Sequence, residues 1–366
     1  MITIQKEIPL SPAYPLERIG QKEELLFFDI ETTGFSGDSS QLYLIGCVFF
    51  ENGAWQLIQW FADTADTEPE LLHAFFGFLK RFRILIHFNG DGFDIPFLLK
   101  RCRALGLDYS FDGIASLDIY RKIKPYKKLL GLESLKQKSI EHFLNIRRED
   151  QYTGGQLIEV YSDYLVSHDN FLYRLLMLHN EDDLKGMPAI LPILNYPDFL
   201  EGSFSLAKQA IRSIPDFRGR MESEAVLTYE SAVTLPVPFE TLCDPFRLEF
   251  TDTRITVTVP LLEGELKHFY EDYQNYYYLI YEDQAIHKSV GQYVEKEARR
   301  KATAKTCYTR ASGLFLPQPG CVWSTCLKAD YKDKLTFVPY CEDLFSNAED
   351  AERYLLFLLE KAGARR

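Results

Sequence analysis

Apolar and polar positions alternate along this chain in blocks that predict an ordered series of strands and helices. Leu25 to Ile30 (LLFFDI) is a short apolar run of the kind that forms a buried strand. Gln41 to Phe50 and Trp55 to Phe61 predict two more strands, with Glu51-Asn52-Gly53 as the hairpin turn between them. Pro69 to Arg81 carries helical apolar spacing, with proline in the first turn, where its missing N–H costs nothing. Ile84 to Phe88 predicts a strand stopped by Asn89-Gly90, and Phe93 to Leu105 a helix. Residues 133–143, 155–166, 168–178 and 179–193 read as further helices, the last interrupted by Pro188 and Pro192.

Three strands, a helix, a strand and then helices is an α/β order. Residues 1–23, with Pro9, Pro12 and Pro15, read as an extended lead-in. Residues 24–195 form the expected α/β domain. Pro197, Gly202, Pro215 and Gly219 punctuate 196–221, which reads as a linker. Beyond it the texture changes. Arg247 to Val259 alternates at period two about a turn, which predicts a hairpin. Residues 289–302 read as a helix, 335–340 as a strand, and Asp350 to Ala362 as an amphipathic helix. Residues 222–366 are therefore expected to form a smaller α+β accessory domain of unknown role.

A length of 366 residues agrees with two domains. With 46% hydrophobic and 26% charged residues the chain is ordinary globular material. The seven cysteines stand at 47, 102, 243, 307, 321, 326 and 341, with no CxxC pair. Cys321 and Cys326 lack a second pair at zinc-site spacing, so thiols in a reducing compartment are expected. No basic leader precedes an apolar run, and no stretch of about eighteen apolar residues occurs, so the expected location is cytoplasmic with no membrane partner. A net charge of −12 argues against a general polyanion binder, but a local basic groove can act inside an acidic protein.

Chemistry concentrates in three segments. In Phe28-Asp29-Ile30-Glu31-Thr32-Thr33-Gly34, period two puts Asp29 and Glu31 on one face at a strand end. Two adjacent carboxylates are costly there unless a cation lies between them, and all-oxygen ligands suit hard divalent ions. The small residues that follow leave room for a large substrate. In Asn89-Gly90-Asp91-Gly92-Phe93-Asp94, Asp94 falls in the first turn of a helix that follows a strand. In His179-Asn180-Glu181-Asp182-Asp183, His179 and Asp183 share a helix face. That spacing lets one hold a metal while the other reaches an activated water. Position 31 being Glu excludes the DxDxT pattern of haloacid-type phosphatases.

Together the segments resemble the three motifs of the DEDD exonuclease superfamily, with its RNase H-like fold. Asp29 and Glu31 match its DxE motif, Asn89 and Asp94 its NxxxFD motif, and His179 and Asp183 its third motif. Within it, the chain is most similar to the YprB-type RNase H-like proteins, predicted exonucleases whose third motif likewise begins HN. The resemblance covers roughly residues 24–195. It departs at the third motif, where three residues separate His179 from Asp183, the spacing of the family's Tyr form rather than its His form. Asp182 would leave only two, so Asp183 is preferred.

The resemblance implies an RNase H-like mixed sheet flanked by helices and a metal-dependent 3′-5′ exonuclease acting on single-stranded DNA or RNA. It implies two cations, Mg²⁺ or Mn²⁺, held by Asp29, Glu31, Asp94 and Asp183. Asp29 would bridge both ions, Glu31 and Asp183 would complete one site, and Asp94 would act through water on the other. His179 would accept or orient a proton. Thr32, Thr33, Asn89, Phe93, Lys127 and Lys128 are the candidate substrate contacts. A catalytically silent nucleic-acid binder and a structure-specific endonuclease stay open, as does a protein partner for the C-terminal domain.

Other features are weaker. Asp118 is a candidate neighbour of the site or a turn residue, and Asp150 is read the same way. Residues 121–148 carry nine Lys/Arg against Glu133 and Glu141, a candidate phosphate-binding surface or a solvated helix face. A second basic group comprises Arg299, Arg300, Lys301, Lys305 and Arg310. The tyrosines of residues 269–281 are expected to pack more than to stack on bases. His87 is expected to be a packed histidine.

Overall fold

The apolar run at Leu25 becomes the central strand of the first sheet. The computed structural model describes residues 1–146, 154–215 and 218–364. The chain divides into two units, residues 1–127 with 132–198 and residues 128–131 with 199–366.

The first unit has six strands: β1 (Ile2–Glu7), β2 (Leu25–Thr32), β3 (Leu42–Glu51), β4 (Ala54–Phe61), β5 (Ile84–His87) and β6 (Ala115–Asp118). Their order is β1-β4-β3-β2-β5-β6. Neighbours from β1 through β2 pair antiparallel, while β5 and β6 add on in parallel. The helices are α1 (Glu68–Leu79), α2 (Asp94–Ala104), α3 (Ile119–Ile123), α4 (Gln137–Phe143), α5 (Gly154–Ser167) and α6 (Asn170–Ile190), and α7 (Asn195–Glu201) crosses the boundary between units.

Because β2 is central and covered on both faces, its first four residues are all buried, which is why it reads as a run and not as an alternation. Phe28 stacks on Phe75 of α1 with centroids 5.6 Å apart, and Tyr43 on Tyr161 of α5 at 4.2 Å. Each fully buried Leu or Phe in this core contributes about 1.5–3 kcal/mol. That packing makes the end of β2 a rigid mount for Asp29 and Glu31.

Three expectations differ from the structure here. Residues 2–7 are not lead-in: the ITIQKE pattern pairs with β4 as an edge strand, and the proline-rich stretch begins only after it. Residues 168–178 and 179–193 are not two helices. A single helix, α6, starts at the Asp169 cap, which accepts the Phe171 N–H at 2.6 Å, and runs through Pro188 to Ile190. Leu178-His179-Asn180 offers no break, so the third motif lies in mid-helix. The start of the helix expected at 133 lies four residues later, at Gln137.

In the second unit, β7 (Ser205–Pro215), β8 (Met221–Glu230), β9 (Phe239–Cys243), β10 (Phe246–Thr251) and β11 (Arg254–Pro260) form a sheet in the order β7-β8-β11-β10-β9. β12 (Leu262–Phe269) follows β11 and leaves that sheet. β13 (Tyr276–Leu279), β14 (Gln284–His287) and β15 (Arg299–Lys301) make a three-stranded sheet. β16 (Tyr308–Gln318), β17 (Leu327–Lys328) and β18 (Thr336–Pro339) close a small barrel with β12. Its helices are α8 (Lys288–Gly291) and α9 (Ala348–Ala362), the latter capped by Asn347 and ended by Gly363 in the left-handed conformation.

The segment read as a linker carries α7 and β7. β7 is largely exposed and held by its ladder to β8, so it lacks the apolar signal that marks a buried strand. The helix expected over 289–302 is instead the short α8 followed by β15. Arg299 and Arg300 lie over the rings of Tyr277 and Tyr278 on the neighbouring strand, 4.4 and 4.8 Å from their centroids. Those tyrosine faces are covered by cations of their own sheet. Among the described residues no helix is long and apolar enough to cross a membrane.

Candidate metal centre

Three strands of the first unit carry a single row of residues: Asp29 on β2 pairs with Gly46 on β3, which pairs with Gln59 on β4. Helix α6 comes down over this row. A Cβ added at Gly46 would lie 2.0 Å from Asn180 Oδ1 and 2.4 Å from Leu184 Cδ1, so the close approach requires glycine there. Into the gap Asn180 reaches and donates from Nδ2 to Asp29 Oδ2 at 2.9 Å. Gln59 Nε2 in turn donates to Asn180 Oδ1 and to the Met177 carbonyl, both at 2.9 Å, and so fixes which way the amide faces. Asn180 and Gln59 are fully buried.

One turn of α6 carries two more donors, His179 and Asp183. His179 Nε2 stands 3.4 Å from Asp183 Oδ2 and 3.7 Å from Glu31 Oε1. Donor atoms of Glu31, His179 and Asp183 all lie within 4.8 Å of one another. Asp94 opens α2 and is 6% exposed. Burial pushes its pKa up to about 7, the N–H groups of Asp94 and Ile30 oppose the rise, and Asp118 adds to it. Asp29 is pushed well above the carboxylate range, by burial first and then by Glu31, Asp94 and Asp183, with the Asn180 amide pulling the other way. The four carboxylates therefore feel one another. Tyr43 lies beside them with its phenol held protonated by burial and next by Glu31.

The donor set fits hard divalent cations: oxygen ligands dominate, one imidazole is at hand, and the carboxylates are crowded enough that positive charge would relieve them.

The second motif is held by a separate network. Asn89 takes the left-handed conformation, φ 62°, and its carbonyl accepts the Gly92 and Phe93 N–H groups. Asp118, 4% exposed, accepts the N–H of Asn89 at 2.9 Å and of Asp91 at 3.3 Å, and caps α3 through the Arg121 N–H. His87 Nδ1 accepts the Gly90 N–H at 3.0 Å, so its proton sits on Nε2 and points to Ser116 Oγ at 2.8 Å. Ser116 donates to Asp91 Oδ1 at 2.6 Å, and Arg121 pairs with Asp91 Oδ2 at 2.9 Å. Burial lowers the His87 pKa, which keeps the ring neutral. Asp118 thus acts on the loop that ends at Asp94.

The candidate substrate residues are distributed as follows. Thr32 donates to the Gly34 carbonyl at 2.8 Å, and Thr33 Oγ1 accepts the Gln41 N–H at 2.8 Å, so both hydroxyls shape the loop after β2. Phe93 precedes α2 and meets the 89%-exposed Phe35 edge-on at 6.4 Å. Lys127 and Lys128 are exposed, and the division of the chain runs between them. Arg147, Arg148 and Asp150 lie outside the described residues.

Sequence reasoning missed Asn180, Gln59 and Gly46. A signal existed for Gly46, since an isolated glycine inside an apolar strand marks a close backbone approach. Gln59, a lone polar residue between Ile58 and Trp60, carried a fainter one.

Residues 26–195 match the RNase_H superfamily, in keeping with the mixed sheet and its flanking helices. The DNA polymerase of Thermococcus kodakarensis (strain ATCC BAA-918 / JCM 12380 / KOD1) is 31% identical over 120 residues, covering 28% of this chain and 7% of the polymerase. Among solved structures, the family B DNA polymerase of Pyrobaculum calidifontis aligns with a TM-score of 0.38 at 13% identity, covering 69% of this chain and 35% of that one. E. coli exonuclease I in complex with a dT13 oligonucleotide aligns with a TM-score of 0.32 at 11% identity, covering 56% and 54%. The chain thus spans only a small part of the polymerase relative's length.

Proposed function

We propose that the first unit is a metal-dependent 3′-5′ exonuclease that hydrolyses phosphodiester bonds of single-stranded nucleic acid. The observation that carries this reading is the convergence of Asp29, Glu31, Asp94, Asp183 and His179 from three separated segments. Two divalent cations, Mg²⁺ or Mn²⁺, supply the Lewis acid and the activated water when bound.

The chain's own residues do the rest. Asp29, oriented by Asn180, offers its carboxylate between the other acidic groups. Glu31 and Asp183 flank His179, with Nε2 3.7 and 3.4 Å from their carboxylate oxygens, on the face of α6 that meets the acidic cluster. His179 is therefore the group that takes or steers the proton of the attacking water. Asp94 is set by its own helix start and by the N–H of Ile30, between Asp29 and Glu31. The exposed Lys122, Lys124 and Lys127 supply cationic charge for a phosphate backbone, which supports a nucleic-acid substrate.

The test is degradation of end-labelled single strands of DNA and of RNA with Mg²⁺ or Mn²⁺. A free 3′ end should be shortened stepwise to mononucleotides, a 3′-blocked strand should persist, and EDTA should stop the reaction. Equal cutting of blocked and free strands, or internal cuts in circular single strands, would replace the exonuclease with an endonuclease.

A further inference from the structure

The second unit carries two thiols, Cys321 and Cys326, that face each other. Cys321 Sγ and Cys326 Sγ stand 2.7 Å apart, closer than ordinary non-bonded contact. Cys321 is exposed and Cys326 partly so, whereas Cys47, Cys102 and Cys307 are buried. The loop between the two is held on both sides. Gln318, fully buried at the end of β16, accepts the Val322 and Trp323 N–H groups on Oε1, at 3.2 and 3.4 Å. Its Nε2 donates to the Thr325 carbonyl at 3.2 Å and lies 3.8 Å from Cys326 Sγ. Trp323 packs against Phe345 and Tyr354, with centroids 5.4 and 5.7 Å away. One buried amide and one indole therefore fix the backbone so that the sulfurs face each other without further loop closure.

We propose that Cys321 and Cys326 are a modification site that closes reversibly to a disulfide by exchange with a low-molecular-weight disulfide of the glutathione class. The exposed Cys321 thiolate attacks one sulfur of the small disulfide, whose S–S bond breaks and whose other half leaves as a thiolate. Cys326 then loses its proton and attacks Cys321 Sγ, breaking the mixed disulfide and releasing the second small thiolate. The protein loses two electrons and two protons, and the small disulfide gains two electrons and takes up protons as two thiols. Cys326, pushed up to about 11 by burial first and by its neighbouring thiol next, is the slower, resolving partner.

The experiment oxidises the reduced full chain with glutathione disulfide over a series of ratios to glutathione, followed by acid quench, unfolding, alkylation and mass spectrometry. Both cysteines fall in one tryptic peptide, 311–328, because no Lys or Arg separates them. That peptide should lose the mass of two hydrogen atoms and escape alkylation, leaving two fewer reactive thiols than the chain's seven. The change should revert with excess glutathione. Cys326→Ser should accumulate a glutathione adduct on Cys321, and Cys341→Ser should close like the wild type. Closure of the native chain should need a ratio of oxidised to reduced glutathione about tenfold lower than the same chain in urea. A wild-type peptide that stays doubly alkylated, or that stops at a glutathione adduct, overturns the proposal. So does equal closure in the native and unfolded chains, which requires no variant to fold.

Discussion

Among the described residues of the first unit, two groups bring a histidine and two carboxylates within metal-binding distance: Glu31, His179 and Asp183, and His87, Asp91 and Asp118. By residue type they are interchangeable, and they differ in what surrounds them. In the second group Arg121 pairs with Asp91, three backbone N–H groups point at Asp118, and Gly90 and Ser116 engage both ring nitrogens of His87. Its donors are spent on holding a loop. The first group adjoins Asp29 and Asp94, whose pKa values are both raised, and Asp29 has three carboxylates pushing it up against one amide pulling it down. Crowded like charge is the condition that a cation relieves. The second group holds the loop that ends at Asp94, and the first lies where carboxylates crowd.

The largest expected effect tests that contrast directly. Asp29→Asn or Asp183→Asn should lower hydrolysis of a single strand by about 10³-fold or more, because metal-borne charge stabilisation is worth several kcal/mol. Asp91→Asn removes a partner of the largely exposed Arg121 and should cost no more than about 1 kcal/mol of stability. Its rate should stay near that of the wild type. Steady-state rates and thermal unfolding of the three variants decide the matter, and an Asp91→Asn enzyme as dead as Asp29→Asn would erase the distinction between the groups.

Acid and metal should act against each other at the first group only. Asp94 has a folded pKa near 7 and Asp29 one well above the carboxylate range, while unfolded aspartate titrates near 3.9. Between those limits the folded state binds more protons than the unfolded state, so stability falls as pH rises. The slope is up to about 1.4 kcal/mol per pH unit for each such group. Denaturation in EDTA should therefore show a less stable protein at pH 8 than at pH 6.5, a window above most of the range in which the lowered His87 pKa acts with the opposite sign. Mg²⁺ or Mn²⁺ should restore more stability at pH 8, where protons no longer compete. A metal-free stability that rises over this range would mean that the carboxylates are already compensated within the protein.

Most of what makes the first group was legible in the sequence, because period two on β2 and a four-residue helical step on α6 are local rules. The β2 run, the β3–β4 hairpin and α1 were legible for the same reason. What was not legible is what lies across the chain. The row Asp29–Gly46–Gln59 depends on strand register, and the Asn180 contact depends on where α6 crosses it. β1 and β7 were hidden because edge and exposed strands carry little apolar signal. β15 was hidden because its Arg-Arg-Lys sequence looks helical until the tyrosines of β13 are placed beside it.

The smallest expected effects come from that cross-chain row. Gly46→Ala puts a methyl where the Asn180 amide and Leu184 already are. It should cost about 1–3 kcal/mol of stability by overpacking and should slow hydrolysis as the amide is displaced. Asn180→Leu keeps the volume but removes the donor to Asp29. Gln59 retains the Met177 carbonyl in that variant, so the loss of stability should be modest. Loss of one hydrogen bond to a charged group, about 1.5 kcal/mol, corresponds to roughly a tenfold slower reaction. Metal titrations separate the two variants. If Asn180 orients Asp29, then Asn180→Leu should weaken Mn²⁺ binding with only a small fall in unfolding temperature, whereas Gly46→Ala should lower both clearly. A variant that lost only stability would make the amide a packing residue, and the row would then belong with the scaffold that holds His87.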